Sequence, residues 1–193
     1  MPGNATAEIV VAGNGRVLVA PVGTAAPVDY SEAWAAAWVD LGYTTEDGVT
    51  FNPEMELSEI MVWQSFYAAR RVVRSRTVTA AFQLRQWNKN NVPLAFGGGT
   101  VALVPAAAGP PAVLLHYKYT PPASEAIDER ALGLEWNDGT KVYRLIIPKG
   151  MVSESPETNL VRTDSAVLPI TFGVNASDTG DPWYIRTNDP AFA

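Results

Sequence analysis

The stretch VRSRTVTAAFQLRQW, residues 73–87, carries the clearest structural signal in the chain. Within it, apolar and polar side chains alternate with a period of two, as in a β-strand with one buried face and one face toward water or a polar partner. The apolar face comprises Val78, Ala80, Phe82 and Leu84, and the polar face comprises Thr77, Thr79, Gln83 and Arg85. The stretch therefore predicts a strand that covers one side of a hydrophobic core.

The same alternation predicts further strands. In residues 166–174 the apolar face comprises Ala166, Leu168, Ile170, Phe172 and Val174. Pro169 lies on the opposite parity, which indicates an edge or a bulge because proline cannot donate a ladder hydrogen bond. Residues 101–104 and 113–119 are shorter strands between prolines.

Two glycine-containing turns predict β-hairpins. Residues 132–136 and 140–147 flank Asn137-Asp138-Gly139, and an Asp-Gly pair tolerates the positive φ of a tight hairpin turn. Residues 8–12 and 16–20 flank Gly13-Asn14-Gly15 in the same way. With 15 Gly and 15 Pro dividing the chain into short segments, these elements predict an all-β domain.

Helix is expected at few places. The best candidate is residues 91–97, with Asn91 as N-cap, Pro93 in the first turn and Gly97 as the end. Residues 31–38 have helical propensity for a turn or two at most. The remaining irregular region, residues 21–64, is predicted to be a long loop, and long loops in compact domains are usually functional.

Composition restricts the possible functions. A chain of 193 residues, 47% of them hydrophobic, fits one folded domain. A formal net charge of −6 disfavours a protein that grips a phosphate backbone by bulk charge. The chain has no cysteine and a single histidine, His116, which excludes disulfides, thiolate chemistry and a histidine-rich metal site. No secretory signal or spanning segment is recognisable, so we expect synthesis in a cytoplasm.

Charge is segregated along the chain. Residues 17–69 contain eight carboxylates and no Lys or Arg: Asp29, Glu32, Asp40, Glu46, Asp47, Glu54, Glu56 and Glu59. In residues 60–124 all the charged residues are cationic: Arg70, Arg71, Arg74, Arg76, Arg85, Lys89 and Lys118. The two blocks either meet within one molecule or meet across a contact between copies, where complementary charge sets register and orientation.

Signals for catalysis are weak. The Gly13-Asn14-Gly15 turn lacks the third glycine of a dinucleotide fingerprint, and no Walker-type phosphate loop or nucleophile elbow is present. Glu54 and Glu56, with Glu59 or Asp47, could in principle serve glycoside hydrolysis. Acidic surface segments are common, however, and the matching basic block gives a simpler use for these carboxylates. We therefore predict no enzymatic activity and no cofactor or metal.

Several segments together resemble the major tail proteins of long-tailed, non-contractile bacteriophages, and those of actinobacterial phages most closely. They are LGYTTEDGVTF (41–51), IMVWQS (60–65), TVTAAFQLRQWN (77–88), the short helix at 91–96 and the glycine run 97–99. The resemblance covers residues 13–104, and a later strand at 168–174 ends in a similar Phe-Gly pair. The family often has an acidic residue where Gln86 stands.

The resemblance implies a single tail-tube domain over residues 1–193, built as a β-sandwich or β-barrel with one short helix. It further implies hexameric rings that stack into a hollow tube around a tape-measure protein, with tail tip and tail terminator proteins as partners. DNA passes through the lumen without specific binding, and assembly takes place in the host cytoplasm. A long inter-strand loop, here residues 42–70, reaches the neighbouring ring.

Residue roles follow as hypotheses from the resemblance and the charge pattern. The acidic residues of the inter-ring contact are Asp40, Glu46, Asp47, Glu54, Glu56 and Glu59, and the receiving basic residues are Arg70, Arg71, Arg74 and Arg76. Trp63 and Phe66 are the apolar anchors, although Trp63 fits equally well as a core residue beneath its own loop. Thr77, Thr79, Gln83 and Arg85 are the natural choice for the lumen face.

Two other functions remain open at the level of sequence. One is the tube protein of a contractile injection system, which also assembles as rings of β-barrel subunits but is surrounded by a sheath. The other is a carbohydrate-binding β-sandwich, motivated by the 6 tryptophans. Such a module needs exposed aromatic side chains as stacking platforms.

Overall fold

The computed structural model describes residues 6–123, 127–154, 157–178 and 180–192. These residues form mainly antiparallel β-strands, which confirms the mainly β fold class. The strands are β1 (Gly15–Pro21), β2 (Val39–Asp40), β3 (Thr44–Ile60), β4 (Arg70–Leu84), β5 (Thr100–Val104), β6 (His116–Thr120), β7 (Arg130–Asp138), β8 (Lys141–Val152), β9 (Leu168–Val174) and β10 (Tyr184–Thr187). In this part of the chain there is one short α-helix, α1 (Asn91–Ala95), with 3₁₀ turns at Thr6–Glu8 and Pro190–Phe192.

Eight strands form one sheet that folds over on itself. Its order is β2-β1-β7-β8-β9-β4-β3, with β10 also beside β8, while β5 and β6 form a separate hairpin. One edge of β8 pairs with β7, and the other edge takes β10 at residues 143–146 and β9 at residues 150–152. Inward side chains from the β1-β7-β8 part and the β4-β9 part share one hydrophobic core, consistent with a β-sandwich.

The core uses the apolar faces that the alternation predicts. The buried residues of the two central strands are Ala80, Phe82 and Leu84 on β4 and Leu168, Ile170 and Phe172 on β9. They pair directly across the two strands, so each strand presents its apolar side chains at matching heights. The helix α1 adds Leu94 and Ala95 to the same core. The strands predicted at 73–87 and 166–174 are therefore confirmed, and their predicted apolar faces point into the core. The strands observed there, β4 and β9, begin and end at slightly different residues from those predicted.

The predicted hairpin at residues 132–147 is confirmed, but the N-terminal hairpin is wrong. β7 and β8 pair through a turn in which Gly139 has a φ of 59°. Residues 9–14, in contrast, form no strand, and β1 pairs with β7 instead. The physical reason is burial of apolar surface. Pairing with β7 buries four consecutive residues of β1, whereas a local hairpin on the surface would leave part of these side chains exposed to water.

The helix begins with a different capping residue from the predicted one. Asn88, not Asn91, accepts hydrogen bonds at the helix start, from the backbone N–H groups of Asn90 and Asn91 at 2.9 Å each. The side chain of Asn91 is buried and donates to the carbonyl oxygens of Leu41 and Gln86. Asn91 therefore ties the helix to the end of β4, while Gly97, with a φ of 73°, ends the helix as predicted.

Residues 22–38, here called the strap, cover the outer face of β1 and β7. Trp34 and Trp38 pack there, and a Cβ on Gly133 of β7 would lie 2.5 Å from the Trp34 ring. The strap has turns but no helix at residues 31–38, because the Asp29 carboxylate accepts from the N–H groups of Ser31 and Glu32.

The strap is anchored by a buried arginine. Arg144 of β8 donates to the carbonyl oxygens of Asp29 and Glu32 at 2.8 and 2.7 Å and to the Glu135 carboxylate at 2.6 Å. Burial alone would raise the pKa of Glu135, but the hydrogen bond from Trp34 and the charges of Arg16 and Arg144 hold that pKa below its ordinary value. The guanidinium is thus compensated inside the fold, as a buried charge must be.

The long inter-strand loop predicted over residues 42–70 is wrong for most of its length. Residues 44–60 and 70–84 are the long strands β3 and β4, joined through residues 61–69. The composition of β3 is polar and acidic because nearly all of it is exposed, so it lacks the apolar alternation by which a strand is recognised in sequence. Its position in the sheet is instead fixed by pairing with β4, interrupted by register shifts at Thr44/Val49 and Glu56/Leu57.

Candidate assembly surface

The outer part of the β3–β4 hairpin projects from the sandwich as a two-stranded arm, residues 52–77. Every residue of the arm is exposed except Ala68, which is half-buried. Nine residues of β3 lie in it, and at the rise of a β-strand they extend about 30 Å from the body. A two-stranded ribbon with both faces in water is at best marginally stable alone. The arm is therefore a surface that gains from contact with a partner.

The two faces of the arm differ in polarity. Met55, Leu57 and Val73 lie on the face that continues the core-facing parity of β4, and they are 54%, 45% and 44% exposed. The other face presents mainly polar side chains, among them Glu54 opposite Thr77 and Glu56 opposite Ser75. A register shift at Glu56/Leu57 leaves Arg74 as the extra residue of a bulge.

Part of the acidic block meets part of the basic block within the arm itself. Glu59 pairs with Arg71 at 2.8 Å, and Glu56 pairs with Arg74 at 3.1 Å and accepts from the Ser75 hydroxyl. Exposed pairs of this kind contribute at most about 1 kcal/mol each. Among the described residues, Glu54, Arg70 and Arg76 make no ion pair. The arm therefore keeps uncompensated charge of both signs.

The tip of the arm, residues 61–69, carries three highly exposed aromatic side chains. Trp63 is 99%, Phe66 100% and Tyr67 84% exposed, so the interpretation of Trp63 as a core residue is wrong. The tip closes by a hydrogen bond from the N–H of Ala69 to the carbonyl of Ile60 at 2.9 Å. Exposed aromatic clusters of this size are typical of contact surfaces, because aromatic side chains bury large areas on association.

The other tryptophans do not form a stacking platform for carbohydrate. Trp34, Trp38, Trp136 and Trp183 are buried or partly buried, and Trp87, 44% exposed, donates to the carbonyl oxygen of Ala166. Only Trp63 presents a whole indole ring to solvent among the described residues.

Both edges of the arm lack a neighbouring strand in the described structure. β3 is the last strand of the sheet and pairs with β4 alone. β9 joins β4 only from Thr79 onward, so residues 70–78 have no second partner among the described strands. The β3 edge of the arm carries Glu54, Glu56 and Glu59, whereas the β4 edge carries Arg70, Arg71, Arg74 and Arg76.

The remaining predicted contact residues lie elsewhere. Asp40 is in β2 at the opposite end of the sheet, where its carboxylate accepts from the N–H of Gly42 at 2.8 Å. Glu46 and Asp47 are exposed at the base of β3, before the arm begins. The structure therefore brings together on the arm all the predicted contact residues except these three.

The predicted lumen residues share one face in part. Thr77, Thr79 and Gln83 have the same parity on β4, opposite to the buried residues. Arg85 follows the strand, and its guanidinium contacts Asp164 at 3.4 Å and the Ser165 hydroxyl. Arg85 is therefore engaged with a neighbouring loop.

Two features were missed from sequence. The first is the strap with its buried Arg144–Glu135 pair. Oppositely charged residues on neighbouring strands are common, so their presence in the sequence did not indicate that this pair anchors a segment. The second is an apolar surface around the β5–β6 hairpin, where Leu103, Leu114 and Tyr117 are 53%, 80% and 76% exposed. The apolar run 113–115 among prolines was available as a signal for this surface.

The C-terminal segment is fastened to β8 by a compact polar cluster. Asp189 accepts hydrogen bonds from the Tyr143 hydroxyl and from Lys141 Nζ at 3.0 Å. The bond to Asp189 raises the pKa of Tyr143 to about 12, and the same bond is the main cause that lowers the pKa of Asp189. This cluster stabilises the body and lies outside the arm.

The similarity to a known protein family extends over the whole chain. A family model described as phage tail tube protein matches residues 1–193. No curated protein matches the chain. None of the helices in the described residues is long and apolar enough to cross a membrane.

Proposed function

This chain belongs to the phage tail tube protein family, and from that premise we propose that its copies form hexameric rings stacked into the tube of a long, non-contractile tail. The protein is a structural component of the virion tail. In the proposed tube the lumen holds the tape-measure protein during assembly and later conducts DNA during ejection. Tail tip and tail terminator proteins would close the two ends.

The observation that carries this proposal is the projecting arm with its aromatic tip. The arm is a two-stranded ribbon about 30 Å long, and it ends in two fully exposed aromatic rings. These features do not stabilise a monomer and are typical of a contact surface. Head-to-tail stacking requires a surface of one subunit that fits a different surface of the next, and the arm is proposed to supply one of these two surfaces. Trp63 and Phe66 are the proposed anchors on the neighbouring ring.

The charged residues have a second proposed role, in orientation. Within the arm, Glu56–Arg74 and Glu59–Arg71 support the hairpin, so these pairs are supplied before assembly. Glu54, Arg70 and Arg76 are proposed to act between copies, where complementary charge favours the correct partner surface. Glu46 and Asp47 at the base of β3, and Asp40 on β2, are also proposed as contact residues.

The lumen wall is proposed to include Thr77, Thr79 and Gln83. Neutral polar side chains there would offer DNA no cation to bind, and the net charge of −6 opposes retention of a polyanion in general. Arg85 remains in the proposed set, with its charge partly offset by Asp164.

Negative-stain electron microscopy of the purified, concentrated protein tests the proposal, together with sedimentation velocity at low and high salt. Six-fold rings or hollow tubes are expected, and added tail tip complex should lower the concentration at which they appear. A protein that stays monomeric at every concentration, with and without the tip complex, contradicts the proposed function.

A further inference from the structure

A lysine and an asparagine lie directly opposite each other where β8 and β9 pair. Lys149 belongs to β8, and Asn175 follows the last residue of β9. The antiparallel register of the two strands extends by one position to this pair, and the N–H of Asn175 donates to the carbonyl oxygen of Lys149 at 3.0 Å. Residues opposite each other in such a pair have Cβ atoms about 4.5–5.5 Å apart. The amine of Lys149 and the carboxamide of Asn175 therefore share one face of the sheet.

A single carboxylate contacts both of these side chains. Glu129 precedes β7, the strand on the other edge of β8. Its Oε1 accepts a hydrogen bond from Asn175 Nδ2 at 3.0 Å, and its Oε2 lies 3.5 Å from Lys149 Nζ. The side chains of Lys149 and Glu129 are only 21% and 37% exposed. A nucleophile, an amide carbon and a group that can move protons are thus held together, which is the arrangement that acyl transfer needs.

We propose that Lys149 and Asn175 join through an isopeptide bond, with Glu129 as the group that moves the protons. In this step the Lys149 Nζ lone pair forms a bond to Asn175 Cγ, and the Cγ–Nδ2 bond breaks. Glu129 takes a proton from Nζ and returns one to Nδ2, which leaves as ammonia. An ammonium group and a carboxamide give an amide and an ammonium ion, so atoms and charge balance and no oxidant or cofactor is needed.

Asp178 slows this reaction. Its Oδ2 lies 3.2 Å from Lys149 Nζ, and its side chain is 76% exposed. The hydrogen bond from Lys149 to Asp178 and the charges of Asp178 and Glu129 raise the pKa of Lys149, although burial acts in the opposite direction. A protonated amine has no lone pair for attack, so the bond forms slowly after folding. Removal of the Asp178 charge should raise the rate.

A second lysine–carboxyl contact lacks the chemistry for such a bond. Lys141 Nζ lies 3.0 Å from Asp189 Oδ2, in the cluster with the Tyr143 hydroxyl. Hydrogen bonds lower the pKa of Asp189, so its side chain is an ionised carboxylate. Amines do not attack a carboxylate, because it has no leaving group. The carboxamide of Asn175 is what distinguishes the site at Lys149.

The bond would fasten the sheet that carries the arm. β9 lies between β8 and β4, and β4 continues into the arm. A covalent link from β8 to the end of β9 closes a loop in the chain, which restricts the unfolded state as a disulfide does. The link lies within one subunit, so it is independent of the proposed ring.

Mass spectrometry of the full chain, purified and incubated at neutral and mildly alkaline pH, tests the proposal. The intact mass should fall by about 17 Da as ammonia is lost. Trypsin does not cleave after an acylated lysine, so digestion should yield one branched product of residues 145–162 and 163–186. Succinimide formation at an asparagine also loses ammonia, so the branched product, and not the mass alone, identifies the bond.

Variants assign the role of each side chain. Lys149→Arg and Glu129→Gln should keep the full mass of their own sequences and yield no branched product. Asp178→Asn should form the bond faster than the unmodified protein. The control, Glu54→Gln, removes an exposed carboxylate on the arm and should form the bond at the unmodified rate. Far-ultraviolet circular dichroism checks that each variant keeps its strand content.

The outcomes separate the bond from the proposed function. Folded, unmodified protein that keeps its full mass and yields no branched product overturns the inference, as does a branch at another pair of residues. Branched product at the same rate in Glu129→Gln overturns the role of Glu129. Electron microscopy of the same samples reports tube formation independently, so failure of the bond leaves the proposed tube intact.

Discussion

Replacement of the two tip aromatics, Trp63→Ser and Phe66→Ser, should raise the protein concentration needed for tube formation without destabilising the monomer. Both rings are essentially fully exposed, at 99% and 100%, so no contact of the folded subunit is lost. Substitutions at such positions usually change the free energy of unfolding by less than about 0.5 kcal/mol. For a chain of this length the melting temperature should move by no more than about 2 °C.

The cost to assembly is much larger. An aromatic side chain buries about 150–250 Å² at a contact, which at about 25 cal/mol per Å² corresponds to roughly 4–6 kcal/mol as an upper value. Truncation of central interface aromatics typically costs about 2–4 kcal/mol each. Taking about 4 kcal/mol for the pair, the concentration needed for polymerisation should rise on the order of a thousandfold.

Pelleting of polymers over a range of protein concentrations, with electron microscopy of each pellet, measures this shift. The control removes two large apolar side chains outside the arm, Leu160→Ser and Phe192→Ser, which are 72% and 69% exposed. The control should polymerise as the unmodified protein does. Polymerisation of the tip variant at the unmodified concentration, with normal tubes, would refute the role of the aromatic tip.

Three further predictions concern charge and the body of the subunit. Arg76→Glu should impair tube formation and leave the melting temperature unchanged, since Arg76 makes no ion pair in the described structure; normal tubes would remove it from the contact. The pKa of Tyr143 is raised to about 12 in the folded protein, so the stabilisation that its protonated hydroxyl contributes should be lost as pH rises from about 10 through 12. Melting curves at alkaline pH measure this loss. The Tyr143→Phe variant should not show this part of the pH dependence. Gly133→Ala should lower stability by about 1–3 kcal/mol in urea unfolding, because its Cβ would meet the Trp34 ring at 2.5 Å; an unchanged midpoint would show that the ring moves aside freely.

Sequence predicted the sandwich best where burial imposes a regular pattern. Phe82 and Ile170 lie on strands with one buried face, and the alternation there reported both the strand and its orientation. The turn at Gly139 was equally accessible, because a positive φ restricts the residue types that fit. The resemblance drawn from residues 13–104 is confirmed as far as the phage tail tube family, whose model matches residues 1–193.

Prediction failed where burial is absent or where partners are distant in sequence. Glu54 and Glu59 stand on a strand exposed on both sides, so no periodicity separates it from a loop. The strand β1 pairs with β7, more than 100 residues away, and a local hairpin is the nearer alternative in any reading of sequence alone. Charge segregation is visible in the sequence whether the segment is a loop or a strand, and nine of the twelve residues predicted for the contact do lie together on the arm, while their role in a contact stays a prediction.

The way in which the strap is held has a consequence for how this protein can diverge. Arg144 binds the main-chain oxygens of Asp29 and Glu32, and Arg186 binds that of Pro27. Main-chain oxygens are present whatever the side chain, so these anchors survive substitution along the strap, provided that Trp34 and Trp38 remain. The exposed side chains between the anchors can therefore change without loss of the contacts that hold the strap, while the fold beneath them stays the same.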